Sequence, residues 1–214
     1  SDVAEPIEGS SFRIWKEVAQ KYKVHITYGF ARYESGNNYI STAVISPEGK
    51  MLGYYDKIHL AQFGASMEKE YFTRGKHLFV FKVGQFKLSP IICYDIRIPE
   101  LSRTLATDHQ VDVILHCGAY YRDESFSTWH AFAKTRAIEN QTYCLSLNRA
   151  GKHFGDSLFC LPWMDNNKPP VTFDASKEHF QLVEVKREVI NQERESYTFL
   201  ADRLSSYSIP VMSA

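Results

Sequence analysis

Cys93 closes an apolar run, Phe86-Lys87-Leu88-Ser89-Pro90-Ile91-Ile92, and is followed at once by charge in Tyr94-Asp95-Ile96-Arg97. A thiol at the end of a strand, in the turn before a helix, meets backbone N–H groups and a dipole that stabilise an anion, the form in which a thiol attacks a carbonyl carbon. Lys57 stands thirty-six positions earlier, at the end of another predicted strand. An ammonium beside such a thiolate would stabilise the oxyanion that forms on attack. Glu68 lies in the polar connection after Lys57, and Gly118-Ala119 follows a later strand, where small residues let backbone approach a bound molecule. Taken singly these residues have ordinary readings: an inert buried cysteine, a solvated lysine, a surface glutamate. In this order they form a coherent acyl-transfer set.

The elements that must position them are legible from periodicity. Ser10-Ser11 reads as a helix cap, and Ile14, Trp15, Val18, Ala19 and Tyr22 recur at helical spacing as one buried face. Residues 24–30 and 39–45 read as strands joined by the Ser35-Gly36-Asn37-Asn38 turn. Ser46-Pro47-Glu48-Gly49 then leads into a third strand over 51–55. After the polar connection 64–75, strands 78–83 and 86–92 make a hairpin around Gly84-Gln85, the second strand ending at Cys93. Pro99 opens a helix whose Leu101, Leu105 and Ala106 face a core. A strand over 111–116, an amphipathic helix over 125–139 and a strand over 142–147 follow. Strands 157–162 and 181–185 and a helix over 187–195 end the pattern. Hairpins mixed with strand–helix–strand units predict a mixed sheet, or two sheets, with helices outside. A purely parallel Rossmann sheet does not fit.

The 214 residues suit one domain with a sizeable core. Twenty-five basic residues balance twenty-five acidic ones, so bulk charge favours neither nucleic acid nor an anionic membrane, and the partner to look for is a small molecule in a pocket. No apolar run has membrane-spanning length, and the chain does not open on a signal-peptide pattern, which reads as a cytoplasmic protein. The four cysteines, Cys93, Cys117, Cys144 and Cys160, are widely spaced, without a metal-ligand pattern, and read as reduced thiols.

Tyr55-Asp56-Lys57-Ile58-His59-Leu60 and Ile92-Cys93-Tyr94-Asp95-Ile96-Arg97-Ile98-Pro99-Glu100 resemble the lysine and nucleophile motifs of the nitrilase superfamily, the carbon–nitrogen hydrolases. Glu70-Tyr71-Phe72-Thr73-Arg74-Gly75, Arg136-Ala137-Ile138-Glu139-Asn140-Gln141, Gly155-Asp156-Ser157 and Phe199-Leu200-Ala201-Asp202-Arg203 extend the likeness over nearly the whole chain. The resemblance implies an α/β protein of the αββα four-layer sandwich type, a single carbon–nitrogen hydrolase domain over 1–214. It implies cleavage of a small amide through a cysteine thioester, without cofactor or metal, by a homodimer or larger homo-oligomer. The short interval between Lys57 and Cys93 is similar to that of the omega-amidase-like branch. Carried over by position, Cys93 is the nucleophile, Lys57 the oxyanion stabiliser, Glu68 a pocket-orienting glutamate, and the Tyr94 backbone N–H part of the oxyanion hole. Gly118 and Ala119 line the pocket. Asp95 and Arg97 hold the turn, while Trp129, His116 and Cys117 read as packing residues.

The sequence departs from the family at its start. The family's general-base glutamate belongs to a strand upstream of an Ala-Glu-Pro-x-x-Gly segment, and here Ala4-Glu5-Pro6-Ile7-Glu8-Gly9 opens the chain. That strand and its carboxylate are therefore expected to precede Ser1, and neither Glu5 nor Glu8 replaces the base. Two other readings are open: a silent binding or scaffold protein, and an unrelated hydrolase pairing Cys93 with His109, His116, His130 or His153. Arg122 and Lys152 are candidates for a substrate carboxylate, though each also reads as surface.

Overall fold

The computed structural model describes residues 3–64 and 66–212; Ser1, Asp2, Ala65, Ser213 and Ala214 lie outside the described residues. Two sheets carry the chain. The first is an antiparallel meander of β1 (Ile26–Glu34), β2 (Asn37–Ile45) and β3 (Met51–Asp56), in that order. Ser35 and Gly36 both take positive φ, which makes the tight turn that fixes the register of β1 on β2 from Glu34↔Asn37 to Ile26↔Ile45. Helix α1 (Ser10–Tyr22) lies against this sheet, with Phe12 and Ala19 buried on Tyr28, Ala43 and Ile45.

Two details of α1 differ from the sequence reading. Its N-cap residue is Gly9, and the cap is supplied from a distance by the Glu5 carboxylate, which accepts the Ser11 N–H at 3.0 Å and the Ser10 hydroxyl at 2.7 Å. Burial opposes the charge on Glu5, but these hydrogen bonds outweigh it and hold the carboxyl below its ordinary range. A side chain at position 9 would collide with that carboxylate. Ile14, Trp15 and Tyr22, assigned to the buried face, are exposed, because the three-stranded sheet covers only the stripe that contains Phe12 and Ala19.

The second sheet has the order β4 (Phe81–Val83), β5 (Phe86–Ile92), β6 (Val113–Gly118), β7 (Tyr143–Asn148), β8 (Leu158–Cys160) and β9 (Val171–Thr172). Its centre, β5–β6–β7, is parallel, and its flanks are antiparallel. Two further helices, Pro99–Thr107 and Phe126–Asn140, are the crossovers the parallel strands require, and they cover one face. There Leu101, Leu105, Trp129, Ala133 and Ala137 pack on Ile91, Ile114, Cys144 and Leu158. In chain order these helices are α3 and α4, after the short α2 (Glu68–Tyr71). Because side chains alternate along a strand, Val113, Tyr143 and Phe159 gather on the opposite face with Ile190 of α5 (Arg187–Ser196). The short helix α6 (Phe199–Asp202) follows.

Four more details differ. Residues 78–80 are outside β4, although Leu78 and Val80 still pack on the core. Residues 181–185, read as a strand, have no ladder partner among the described residues and stay irregular, with Val183 and Val185 resting in the cluster around Ile190. Part of the polar connection winds into α2, and β9 is a two-residue strand that alternation could not reveal.

Candidate active site

The two sheets approach each other where β2 meets β6, and there Thr42 Oγ1 lies 3.8 Å from Cys117 Sγ. A cavity of about 790 Å³ opens beside this contact, and Lys57, Glu68, Cys93, Tyr94, Gly118 and Ala119 all line it. The six site residues read from the sequence thus share one concave surface. Gly29, Phe30 and Ala31 of β1 and Ile40 to Thr42 of β2 contribute further wall.

Lys57 is almost fully buried, and its Nζ donates to both Glu68 oxygens, at 2.7 and 2.6 Å. Glu68 also accepts the Ala61 N–H at 2.7 Å, so the loop after Lys57 closes back on its own counter-ion. The lysine backbone is fixed as well: its N–H donates to the Ile40 carbonyl at 2.8 Å and its carbonyl accepts the Gly75 N–H at 2.9 Å. Gly75 is required by close approach rather than by backbone angle, since a Cβ there would overlap the Asp56 carbonyl. Asp56 points elsewhere. It accepts two bonds from buried Arg32, at 2.9 and 2.7 Å, and the guanidinium lies over the rings of Tyr39 and Tyr54 at 4.4 and 4.5 Å.

Cys93 has φ +48, in the left-handed region, and opens a 3-10 turn over Cys93–Arg97. A non-glycine residue in that region costs about 1 kcal/mol or more and persists only where its surroundings impose it. The surroundings here are explicit. Buried Asp95 accepts the Ile92 N–H at 3.0 Å, the Tyr55 hydroxyl at 2.8 Å and the His59 N–H at 2.9 Å. Residues on either side of Lys57 therefore clamp the turn that carries Cys93. At the other end Arg136 donates to the carbonyls of Ile96 and Arg97, at 2.9 and 3.2 Å. The Cys93 carbonyl itself meets Tyr120 Oη at 2.8 Å and His116 Nε2 at 3.1 Å.

Asp95 thus holds the turn as read from the sequence, while Arg97 lines the cavity, its guanidinium near the rings of Phe63 and Phe132 at 5.7 and 5.2 Å. No carboxylate among the described residues forms an ion pair with it. Arg122 is occupied by Asp156 at 2.6 Å and by the carbonyls of Phe154 and Ala175, and Lys152 is exposed outside the cavity lining. Glu8 is exposed, and Glu5 is committed to α1. None of the four histidines considered as bases hydrogen-bonds Cys93 Sγ: His116 meets the backbone carbonyl, His130 the Asp156 carbonyl, and His109 and His153 are exposed. Tyr120, the place of Arg97 on the cavity wall and the hydrogen-bonding role of His116 escaped the sequence reading. The one available signal was a histidine inside the apolar strand Val113-Ile114-Leu115-His116-Cys117.

All four cysteines are free. Burial pushes the thiols of Cys117 and Cys144 up and that of Cys160 up to about 12, so these three favour the neutral form. Among the described residues no group of three or more metal-ligating side chains is assembled, and no helix is long and apolar enough to cross a membrane.

A family model described as carbon-nitrogen hydrolase matches residues 1–168. The chain is 33% identical over 147 residues to a hydrolase in the agr operon of Staphylococcus aureus, covering 67% of this chain and 54% of that protein. It is 28% identical over 174 residues to an omega-amidase of Danio rerio, covering 76% of this chain and 62% of that one. The chain therefore spans less than two thirds of the length of either relative. Among solved structures, a carbon–nitrogen hydrolase superfamily protein of Xanthomonas campestris superposes with TM-score 0.82 at 20% identity, over 97% of this chain and 79% of that one. That likeness shows the same two-sheet fold.

Proposed function

The chain belongs to the carbon–nitrogen hydrolase family, and from that premise we propose that it hydrolyses a small, carboxylate-bearing amide through a thioester on Cys93. The observation that carries this reading is the convergence of Cys93, Lys57, Glu68 and Tyr94 on one cavity. In the proposed reaction the Cys93 thiolate attacks the amide carbon and the carbonyl oxygen becomes an oxyanion. Lys57 Nζ and the Tyr94 N–H stabilise that charge. An ammonium has three donors; with two directed at Glu68, one remains for the oxyanion. Collapse breaks the C–N bond and the amine leaves with the proton that the thiol gave up in forming the thiolate; water then adds its hydroxyl to the acyl carbon and returns a proton to sulfur, giving the acid and the free thiol.

Arg97 supports the substrate class. A guanidinium on the cavity wall without a carboxylate partner among the described residues is matched by a substrate carboxylate, which it can bind in bidentate fashion. The omega-amidase relative is consistent with a dicarboxylic acid monoamide. We also propose a homodimer, supported by exposed Tyr207, Ile209, Val211 and Met212, and a cytoplasmic setting, in which four free thiols are at home.

The test is ammonia release from dicarboxylic acid monoamides and from their neutral counterparts. Cys93→Ala is expected to lower turnover by about 10⁴-fold or more. Arg97→Leu is expected to raise KM about tenfold or more for the carboxylate-bearing amides alone. Undiminished hydrolysis by the Cys93 variant would sink the reading.

A further inference from the structure

We propose that His116 and Tyr120 are positioning residues that aim the Tyr94 backbone N–H at the substrate oxyanion by gripping the opposite end of the same peptide unit. This role presupposes the amide-hydrolase reading and adds two residues to it. The carbonyl of Cys93 and the N–H of Tyr94 belong to one planar trans peptide, so the two groups point in opposite directions. Whatever fixes the carbonyl fixes the N–H.

Two donors fix it. Tyr120 Oη lies 2.8 Å from the Cys93 carbonyl and His116 Nε2 lies 3.1 Å from it. The proton arrangement follows from the two ends of the network together: the Cys93 carbonyl can only accept, so it requires a hydrogen on His116 Nε2 and leaves Nδ1 the acceptor. Trp129 Nε1 is a donor only, and it gives its hydrogen to Ser146 Oγ at 2.7 Å. The Ser146 hydroxyl then directs its own hydrogen to His116 Nδ1, at 2.6 Å. With Nδ1 an acceptor, the neutral ring carries its hydrogen on Nε2 and donates it to the Cys93 carbonyl. Burial is the main cause that lowers the His116 pKa to about 4, which keeps the ring neutral and this tautomer in place at neutral pH. The Tyr120 ring stacks on Trp129 at 4.7 Å, nearly parallel, so one buried indole anchors both donors. Asn148 holds the Tyr120 backbone, accepting its N–H at 2.7 Å and donating to its carbonyl at 3.0 Å.

At the other end, the Tyr94 N–H has no backbone acceptor among the described residues, as befits the first turn of a helix, and Tyr94 lines the cavity beside Cys93. The grip also accounts for the left-handed conformation of Cys93, which the residue would not adopt unaided.

Two reactions of the same thiol separate alignment from reactivity. Acylation by p-nitrophenyl acetate forms the Cys93 thioester and releases p-nitrophenolate through an oxyanion; alkylation by iodoacetamide displaces iodide and forms none. Tyr120→Phe is expected to slow acylation about tenfold, and Tyr120→Phe combined with His116→Leu about a hundredfold, within the range for an oxyanion donor. Alkylation should stay within about twofold of wild type, because thiolate reactivity follows the thiol's own pKa and exposure. His116→Gln, whose side-chain amide can still donate, should recover most of the acylation rate. Equal slowing of both reactions, or acylation unaffected by the double variant, overturns the proposal. A wild-type protein that is alkylated but never acylated overturns the amide-hydrolase reading and this inference with it.

Discussion

Asp56 and Lys57 are consecutive buried residues, yet the two ion pairs they enter are built differently. Asp56 meets Arg32 in a closed, bidentate arrangement with two aromatic rings against the guanidinium. Neither partner of that pair lines the cavity. Lys57 meets Glu68 through a compact ammonium that retains a donor, and both partners line the cavity. An arginine fork suits a pair whose purpose is rigidity, and an ammonium suits a charge that must also face a reacting oxygen. On the proposed mechanism, adjacent positions at one strand end separate support from chemistry, because successive side chains point to opposite sides.

Substitutions can break that contrast. Arg32→Met should show the largest effect, about 3–5 kcal/mol of stability in chemical denaturation, because Asp56 is left buried and unpaired. The folded fraction should retain its turnover. Lys57→Met should do the reverse, lowering turnover by about 10²–10³-fold, or roughly 3–4 kcal/mol of transition-state stabilisation, with a much smaller change in KM. If the two variants lose stability and turnover in the same proportion, the division of labour is wrong.

His116 tests whether this interior tolerates a charge outside the pairs. Its folded pKa of about 4 lies below the ordinary 6.5, chiefly through burial, with Lys57 adding to the shift and the Cys93 carbonyl and Asp95 opposing it. The folded state therefore binds fewer protons than the unfolded chain between these values. Stability attributable to His116 is complete above about pH 6.5 and is lost as pH falls towards about 4, by about 3 kcal/mol in all. Denaturation curves of wild type and His116→Gln should diverge in that window; parallel curves would contradict it. Glu68→Gln should be mildest, at about 1–3 kcal/mol of stability, since Glu68 keeps some access to water and Gln can still accept one bond from Lys57.

Much of this architecture can be read from the chain. The Ser35-Gly36 and Gly84-Gln85 turns, the alternation in β2, and Pro99 at the start of α3 are local signals. The structure reproduces them within a few residues. What escapes is decided by distant partners. Residues 181–185 have strand composition, but a strand exists only where a neighbour completes its ladder. Ser10 and Ser11 look like caps, but a carboxylate five residues before Ser10 does the capping. In the proposed site, Cys93 and Lys57 are picked out by type and position, and both line the cavity. Arg97 reads as a brace of the turn because its motif neighbours are charged; that Asp95 is satisfied by Tyr55 and His59, leaving Arg97 to the cavity, is a three-dimensional fact. Ser146 is a polar residue in a core strand, and its role depends on an indole and an imidazole seventeen and thirty residues away.

Gly75 shows how narrow the tolerance of this arrangement is to inherited change. It carries no chemistry, yet a single added methyl would press on the Asp56 carbonyl and on the chain segment that holds Lys57. On the proposed mechanism, a screen of random variants should therefore recover Gly75→Ala among proteins that fold and are inert, with every proposed catalytic side chain intact. The genetic target of the site is wider than the set of groups that touch the substrate.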